Sequence, residues 1–363
     1  MKAMRMHGYG DVSVLSYDDV PTPTPGAGEV LVHVEATSFN PSELGLRRGL
    51  LRHLFDVDLP HTLGNDVAGT VDGRPVIGLL DGGAAATYAI ALENALVPAP
   101  SAIPLAHAAA LPIAGLTAWQ AVHEHAAVAP GQRVLITGIG AVGRLALQLA
   151  RNAGAHVIAA ASPRSRDAAR ELGAAQVVGN GRELDQPVDV LLHCAPAPVD
   201  ASVLRPGGTL VSATVPVPTG IHFVTRNDPA HLAALVTLVD QGKLRLHSSS
   251  ALRDVTHPPR SAPTTTNTST SECPVPIPRA TDPNNTKPST KSSAAARARR
   301  SVYAVVTEPF SRAGATEFET PIDPAPPAPA PAPSPEPPPA PGSAPHRPRP
   351  PAGPATTSPP PAT

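Results

Sequence analysis

Six consecutive residues, Gly138-Ile139-Gly140-Ala141-Val142-Gly143, form a G-x-G-x-x-G between a run that reads as a strand, Arg133 to Ile136, and one that reads as a helix, Val142 to Ala153. Each glycine has its own mechanical reason. Gly138 permits a tight turn, Gly140 lets the backbone approach a pyrophosphate, and Gly143 lets helix and strand pack closely. Amides at the helix N-terminus, those of Ala141 and Val142 among them, attract the anion. The alternative is a glycine-rich turn that only joins strand to helix; the surrounding βαβ pattern favours a dinucleotide.

The second strand of that unit, His156 to Ala160, runs into Ala161-Ser162-Pro163-Arg164-Ser165-Arg166. A site selective for NAD places Asp or Glu at this strand end to accept from the ribose hydroxyls, and no acid stands there. Instead Ser162 offers a hydroxyl, and Arg164 and Arg166 offer guanidinium groups suited to a 2'-phosphate. NADPH is the expected cofactor. The other account of the two arginines is exposure at a helix start.

These groups need a sheet to hold them. Strands are expected at Arg133 to Ile136, His156 to Ala160, Gln176 to Val178, Val188 to His193, Thr209 to Thr214 and Leu244 to His247, with a helix from about Asn227 to Gln241 between the last two. Six strands with intervening helices match a doubly wound parallel sheet. Before it, from Met1 to about Ala99, short alternations such as Val30 to Val34, Val67 to Val71 and Ala86 to Ile90 predict a compact all-β region. Between Ile103 and Val128 the spacing turns helical and predicts a linker helix.

Composition divides the chain again. More than half of the 48 prolines follow Thr256, and Pro-Ala runs such as Pro324 to Pro329 favour extended polyproline II, so a disordered low-complexity tail is expected. A net charge of -1 gives no field for nucleic acid. Cys194 and Cys273 form no disulfide framework and no C-x-x-C, which fits a reducing compartment. Met1-Lys2-Ala3-Met4-Arg5 opens no apolar leader, and no span of about 20 apolar residues follows. A cytoplasmic protein with no membrane or nucleic-acid partner is therefore expected.

From about Lys2 to His257 the chain resembles the medium-chain dehydrogenase/reductase superfamily, in its zinc-free quinone oxidoreductase (enoyl reductase domain) branch. The resemblance is carried by Gly26-Ala27-Gly28-Glu29-Val30-Leu31-Val32, Phe39-Asn40-Pro41, Leu63-Gly64-Asn65-Asp66-Val67-Ala68-Gly69-Thr70-Val71, Leu111 to Trp119 and the glycine motif, in matching order and spacing. It implies an α/β protein: a GroES-like β-rich catalytic domain at residues 1–118, an NADP-binding Rossmann domain at 119–247, the start of a return to the catalytic domain at 248–257, and the tail at 258–363.

The resemblance also implies hydride delivery from NADPH to a quinone or an α,β-unsaturated carbonyl. Zinc-dependent relatives carry a cysteine near the position of Asn40-Pro41 and Gly-His-Glu in place of Gly64-Asn65-Asp66, so no metal is expected. Asn40 is implied beside the substrate carbonyl, against the alternative of an Asn that only starts a turn before Pro41. Thr117 is implied at the nicotinamide side, against a hydroxyl back-bonded within its helix. Asp66 stays outside the catalytic set, as a residue organising the turn. Tyr9, His53 and His61 are among the candidates for an unassigned proton donor. Where relatives often carry a tyrosine after the third strand, this chain has Gly179-Asn180.

A homodimer through an edge strand near Leu244 to His247 is a further implication. After Val255, where relatives continue with a helix and a strand that complete the catalytic sheet, stands Pro258-Pro259-Arg260-Ser261-Ala262-Pro263, which can do neither. The run Val302 to Val306 is the less favoured replacement for the lost strand, because the intervening linker is long and polar. Two rival readings follow: an NADPH-binding protein without turnover, and a chain whose Pro-rich tail is the functional part.

Overall fold

Alternating apolar residues build strands through the first hundred positions, and a longer periodicity takes over after residue 104. The computed structural model describes residues 1–179 and 184–246, together with the backbone of two short strands further on. In chain order the elements are β1 (Lys2–Met6), β2 (Leu15–Asp19), β3 (Glu29–Phe39), α1 (Pro41–Arg47), β4 (His61–Thr62), β5 (Asp66–Val71), β6 (Arg74–Leu79), β7 (Tyr88–Leu92), β8 (Leu96–Pro98), α2 (Leu105–Ala108) and α3 (Pro112–Trp119). They continue as β9 (Arg133–Thr137), α4 (Ala141–Asn152), β10 (His156–Ala160), α5 (Arg166–Glu171), β11 (Gln176–Val178), β12 (Val188–His193), β13 (Leu204–Ser212), β14 (Ile221–His222), α6 (Pro229–Asp240), β15 (Leu252–Asp254) and β16 (Tyr303–Val306).

The β-rich half is GroES-like and centres on β3. One edge of its first part pairs antiparallel with β7, from Glu29 opposite Leu92 to His33 opposite Tyr88. The other edge pairs with β5, with a register shift between Val34 and Ala36 that bends the strand. Beyond that bend, β16 runs parallel to β3, from Tyr303 opposite Ala36 to Val306 opposite Phe39, and β15 pairs antiparallel with β16. The apolar run given little weight in the sequence thus takes a place in the β-rich sheet, where it satisfies backbone groups that a bare edge would leave open. The expected disorder of the rest of 258–363 lies outside the described residues.

The second half is a Rossmann sheet of six parallel strands in the order β11-β10-β9-β12-β13-β14. β12 is buried on both faces: Leu192 joins the core that includes α3, α4 and α6, and Leu191 packs on the opposite face with Leu135, Ile158 and Leu210. One expectation is corrected. The sixth strand is Ile221–His222, before α6, and Leu244 to Leu246 is not a strand. Side chains of α4 satisfy that segment's backbone: Gln148 Nε2 donates to Arg245 O at 3.0 Å, Arg245 N donates to Gln148 Oε1 at 2.8 Å, and Asn152 Nδ2 donates to Lys243 O at 3.0 Å. Leu244 is buried in the core. The edge proposed for a dimer is therefore not at that segment; β14 ends the sheet instead.

The linker helix also differs. Pro112 restarts the chain as the first residue of α3, and a π-helical turn, Gln120–His125, continues it. Helix α3 packs on α4 and α6. The described residues belong to one compact unit, and no helix among them is long and apolar enough to cross a membrane.

Candidate active site

The glycine turn sits where the sheet order reverses, between the C-terminal ends of β9 and β12, the usual ligand crevice of such sheets. Gly138 has φ +82°, and a Cβ there would lie 2.8 Å from Ala195 Cβ. At Gly143 a Cβ would lie 1.9 Å from Gly138 O, so that position packs helix directly on turn. At Gly140, the N-cap of α4, a Cβ would meet nothing within 4 Å. The middle glycine therefore fronts open space at the start of a twelve-residue helix, with Ala141 and Val142 in its first turn. That is the shape and polarity a pyrophosphate requires.

His193 shapes the same crevice, although the sequence marked it only as the end of a strand. Its ring lies with Nδ1 2.7 Å from Thr137 Oγ1 and Nε2 2.8 Å from Ala197 O. A carbonyl only accepts, so Nε2 carries the proton and Nδ1 accepts from Thr137; burial holds the ring's pKa below the usual histidine value. The Thr137 hydroxyl thereby ties the end of β9 to the loop that packs on Gly138. Burial pushes the adjacent Cys194 thiol up to about 12, so it is an unreactive packing group. Cys273 lies outside the described residues.

On the adenosine side, Ser162, Arg164 and Arg166 are all exposed just past β10, and Ser162 Oγ lies 3.0 Å from Ser165 Oγ. Neither arginine has an acidic partner among the described residues. Asn180 lies outside them.

In the β-rich half the polar groups are sealed from solvent. Asp66, 1% exposed, receives Ile113 N at 2.8 Å on Oδ1, and Asn40 Nδ2 at 2.8 Å together with Ser38 Oγ on Oδ2. Asn40 Nδ2 also reaches Ser38 Oγ at 3.2 Å. The Asn40 side-chain nitrogen thus has its partners inside the protein. Glu43, 5% exposed, receives Asn40 N on Oε2 and Gly64 N on Oε1, each at 2.9 Å. Burial pushes Glu43 up to about 7 against these hydrogen bonds, and Asp66 to about 6.

Sequence reasoning missed Glu43 and Ser38. The signal for Glu43 was present, since Asn40-Pro41-Ser42-Glu43 has a cap residue, a first-turn proline and an acid three residues on. Ser38 had no local signal.

Thr117 Oγ1 donates to Ile113 O at 2.6 Å and accepts from Thr225 Oγ1 at 2.6 Å. The back-bonded reading and a bridging position hold together. One turn on, Gln120 brackets the backbone of Arg226, donating to its carbonyl at 2.9 Å and accepting its N–H at 3.2 Å. Helix α3 and the turn after it therefore grip the segment that follows β14. Among the proposed proton donors, Tyr9 lies under Arg52 at 4.6 Å, His53 is exposed and His61 packs against Gly82. None of the three is hydrogen-bonded to the Asn40 cluster.

Glu124, Asp228 and His231 bring three possible metal-ligand atoms within 4.8 Å of one another. Arg226 already engages both carboxylates, with two 2.6 Å bonds to Glu124 and one of 3.2 Å to Asp228.

Residues 26–101 match the family model of the alcohol dehydrogenase GroES-like domain. Over 293 residues the chain is 31% identical to a chloroplastic quinone-oxidoreductase, QR1, of Triphysaria versicolor, a match covering 68% of this chain and 89% of that relative. This chain belongs to the medium-chain dehydrogenase/reductase superfamily, in the quinone oxidoreductase branch. It is an oxidoreductase of that superfamily. A second member, the chloroplastic NADPH-dependent alkenal/one oxidoreductase of Arabidopsis thaliana, is 30% identical over 277 residues, 68% of this chain and 71% of the relative. The quinone oxidoreductase of Thermus thermophilus, solved alone and with NADPH, superposes with TM-score 0.56 at 28% identity, covering 67% of this chain and 86% of that one.

Proposed function

We propose that this oxidoreductase transfers hydride from NADPH to a quinone or an α,β-unsaturated carbonyl without zinc. The observation that carries the reading is the open space before Gly140 at the N-terminus of α4, in the crevice between β9 and β12. Residues 119–247 form the cofactor domain, and 1–118 with 248–257 the catalytic domain. The small-molecule acceptor, a homodimer and a cytoplasmic location belong to the same proposal.

Bound NADPH supplies the hydride, which with one proton from solvent turns a quinone into a quinol. The protein's own part is to bind and orient. Gly138, Gly140 and Gly143, with the amides of Ala141 and Val142, hold the pyrophosphate, and Ser162, Arg164 and Arg166 hold the 2'-phosphate. Thr117 and Asn40 frame the reacting end. Asn40 acts there as an anchored residue, because its side-chain nitrogen is held by Asp66 and Ser38. The donor set does not suit zinc: Asn65 Nδ2 donates to Leu80 O at 3.0 Å, and both oxygens of Asp66 are taken by protein donors.

Oxidation of NADPH against a panel of quinones, enones and aldehydes, with cofactor binding measured in parallel, tests the reading. Turnover that survives exhaustive chelation is the expected result. Tight NADPH binding with no turnover on any acceptor would select the rival, a binding protein. That rival rested on a missing return to the catalytic sheet, and the pairing of β16 with β3 speaks against it.

A further inference from the structure

We propose that Asp66 is a positioning residue for hydride transfer, a clasp that fixes the β-rich half to the helix gripping the dinucleotide half. The inference rests on the oxidoreductase reading above. Asp66 opens β5, and its carboxylate takes donors from two other places in the fold: Ser38 and Asn40 at the end of β3, and the Ile113 N–H in the first turn of α3. Its backbone carbonyl accepts from Thr37 Oγ1 at 2.6 Å. From that first turn a hydrogen-bonded path continues through Ile113 O to Thr117 and Thr225, and Gln120 then holds Arg226. The end of β3, with Asn40 just past it, and the segment after β14 are thus connected through one carboxylate.

The donor set matches an ionised carboxylate. It accepts on both oxygens and donates nothing, and the N-terminus of α3 favours its charge. An amide cannot replace it: whichever way the group turns, its NH2 meets either the Ile113 N–H or the Asn40 NH2. Protonation alters the same set, because the Ser38 hydroxyl must then turn to receive the new O–H and gives up its own bond to the carboxylate. The other titratable group coupled to it among the described residues is Glu43 of α1, which is held by the backbone amides of Asn40 and Gly64. A shift of this frame by a fraction of an ångström misaligns donor and acceptor without emptying either site.

The test measures kcat, KM and the NADPH dissociation constant for the parent, Asp66→Asn and Ser38→Ala between about pH 5 and pH 8, a window that spans the raised carboxyl values. Asp66→Asn is expected to lower kcat on the order of a hundredfold while NADPH binding stays within about twofold. Ser38→Ala deletes one donor to the carboxylate and so raises its pKa, and the acidic limb of kcat moves to higher pH. If Asp66→Asn does not fold, the limb in Ser38→Ala decides alone. A kcat that is unchanged in both variants, or that falls in Ser38→Ala with the limb unmoved, overturns the clasp. A parent with no turnover removes the oxidoreductase reading and the clasp with it, whereas an active parent with unaffected variants removes the clasp alone.

Discussion

At the glycine turn after β9 the polar groups on offer are backbone amides at a helix start, facing open space, and the side chains that matter are the ones that are missing. Around the end of β3 the polar groups are two carboxylates sealed inside the protein, held by one local donor, Asn40 N three residues from Glu43, and by others that reach them across 21 to 47 residues of chain. The first region gains polarity from a fold that any suitable backbone can adopt. The second takes charge out of water and compensates with hydrogen bonds that exist only once three elements have met. A ligand site made of backbone is robust to pH, while a frame made of buried carboxylates is sensitive to it.

Substitutions can break this contrast, beginning with the largest effect. Gly143→Ala forces a Cβ to 1.9 Å from Gly138 O, and unfolding free energy is expected to fall by about 3 kcal/mol or more, read by chemical denaturation. A melt indistinguishable from the parent would mean that helix and turn do not pack as described. Glu43→Gln comes next. One amide oxygen cannot accept from both Asn40 N and Gly64 N, so one N–H faces an NH2 and about 1–3 kcal/mol of stability is lost.

Gly140→Ala separates binding from folding. The added methyl meets nothing in the protein, so the melting temperature should hold while NADPH affinity drops about tenfold, or ~1.4 kcal/mol. Titration calorimetry showing full affinity would leave the open space without a pyrophosphate. Arg164→Glu should act more weakly still, removing most of the preference for NADPH over NADH with little effect on NADH itself. Equal dissociation constants for both cofactors in the parent protein would discard the 2'-phosphate assignment.

The smallest effect is on the pH dependence of stability. Asp66 and Glu43 both have folded pKa values raised by burial, to about 6 and about 7 from 3.8 and 4.5. Between those limits the folded state binds more protons than the unfolded chain, so their contribution is fullest below about pH 4 and is lost as pH rises toward 7. Thermal melts of Asp66→Asn should therefore show a flatter decline from acid to neutral pH than the parent. Parallel curves would place Asp66 in a far less buried setting.

The cofactor crevice was legible in the sequence because its demands are local. A tight turn, a close approach and a helix start fall within six residues, and five of the six expected strands of the parallel sheet announce themselves by apolar runs. The sixth did not. Ile221–His222 is too short and exposed to carry a pattern, while Leu244 to Leu246 has the composition of a strand and is instead held by Gln148. The run at Tyr303–Val306 was readable as a strand former, but its partner across the linker was not.

The Asn40 cluster marks the boundary most clearly. Residue types alone determined that Asn40 can start a turn before Pro41, that Gly64-Asn65-Asp66 lacks a zinc-ligating histidine, and that Gly138 to Gly143 can cradle an anion. Tertiary structure alone decided that the amide of Asn40 turns inward to Asp66, that Asp66 reaches Ile113, and that Thr117 meets Thr225. The physical reason is range. Sterics and backbone conformation act over a few residues and leave a local signature, whereas a buried charge is tolerated only by the sum of donors delivered from distant segments, and no single segment records that sum.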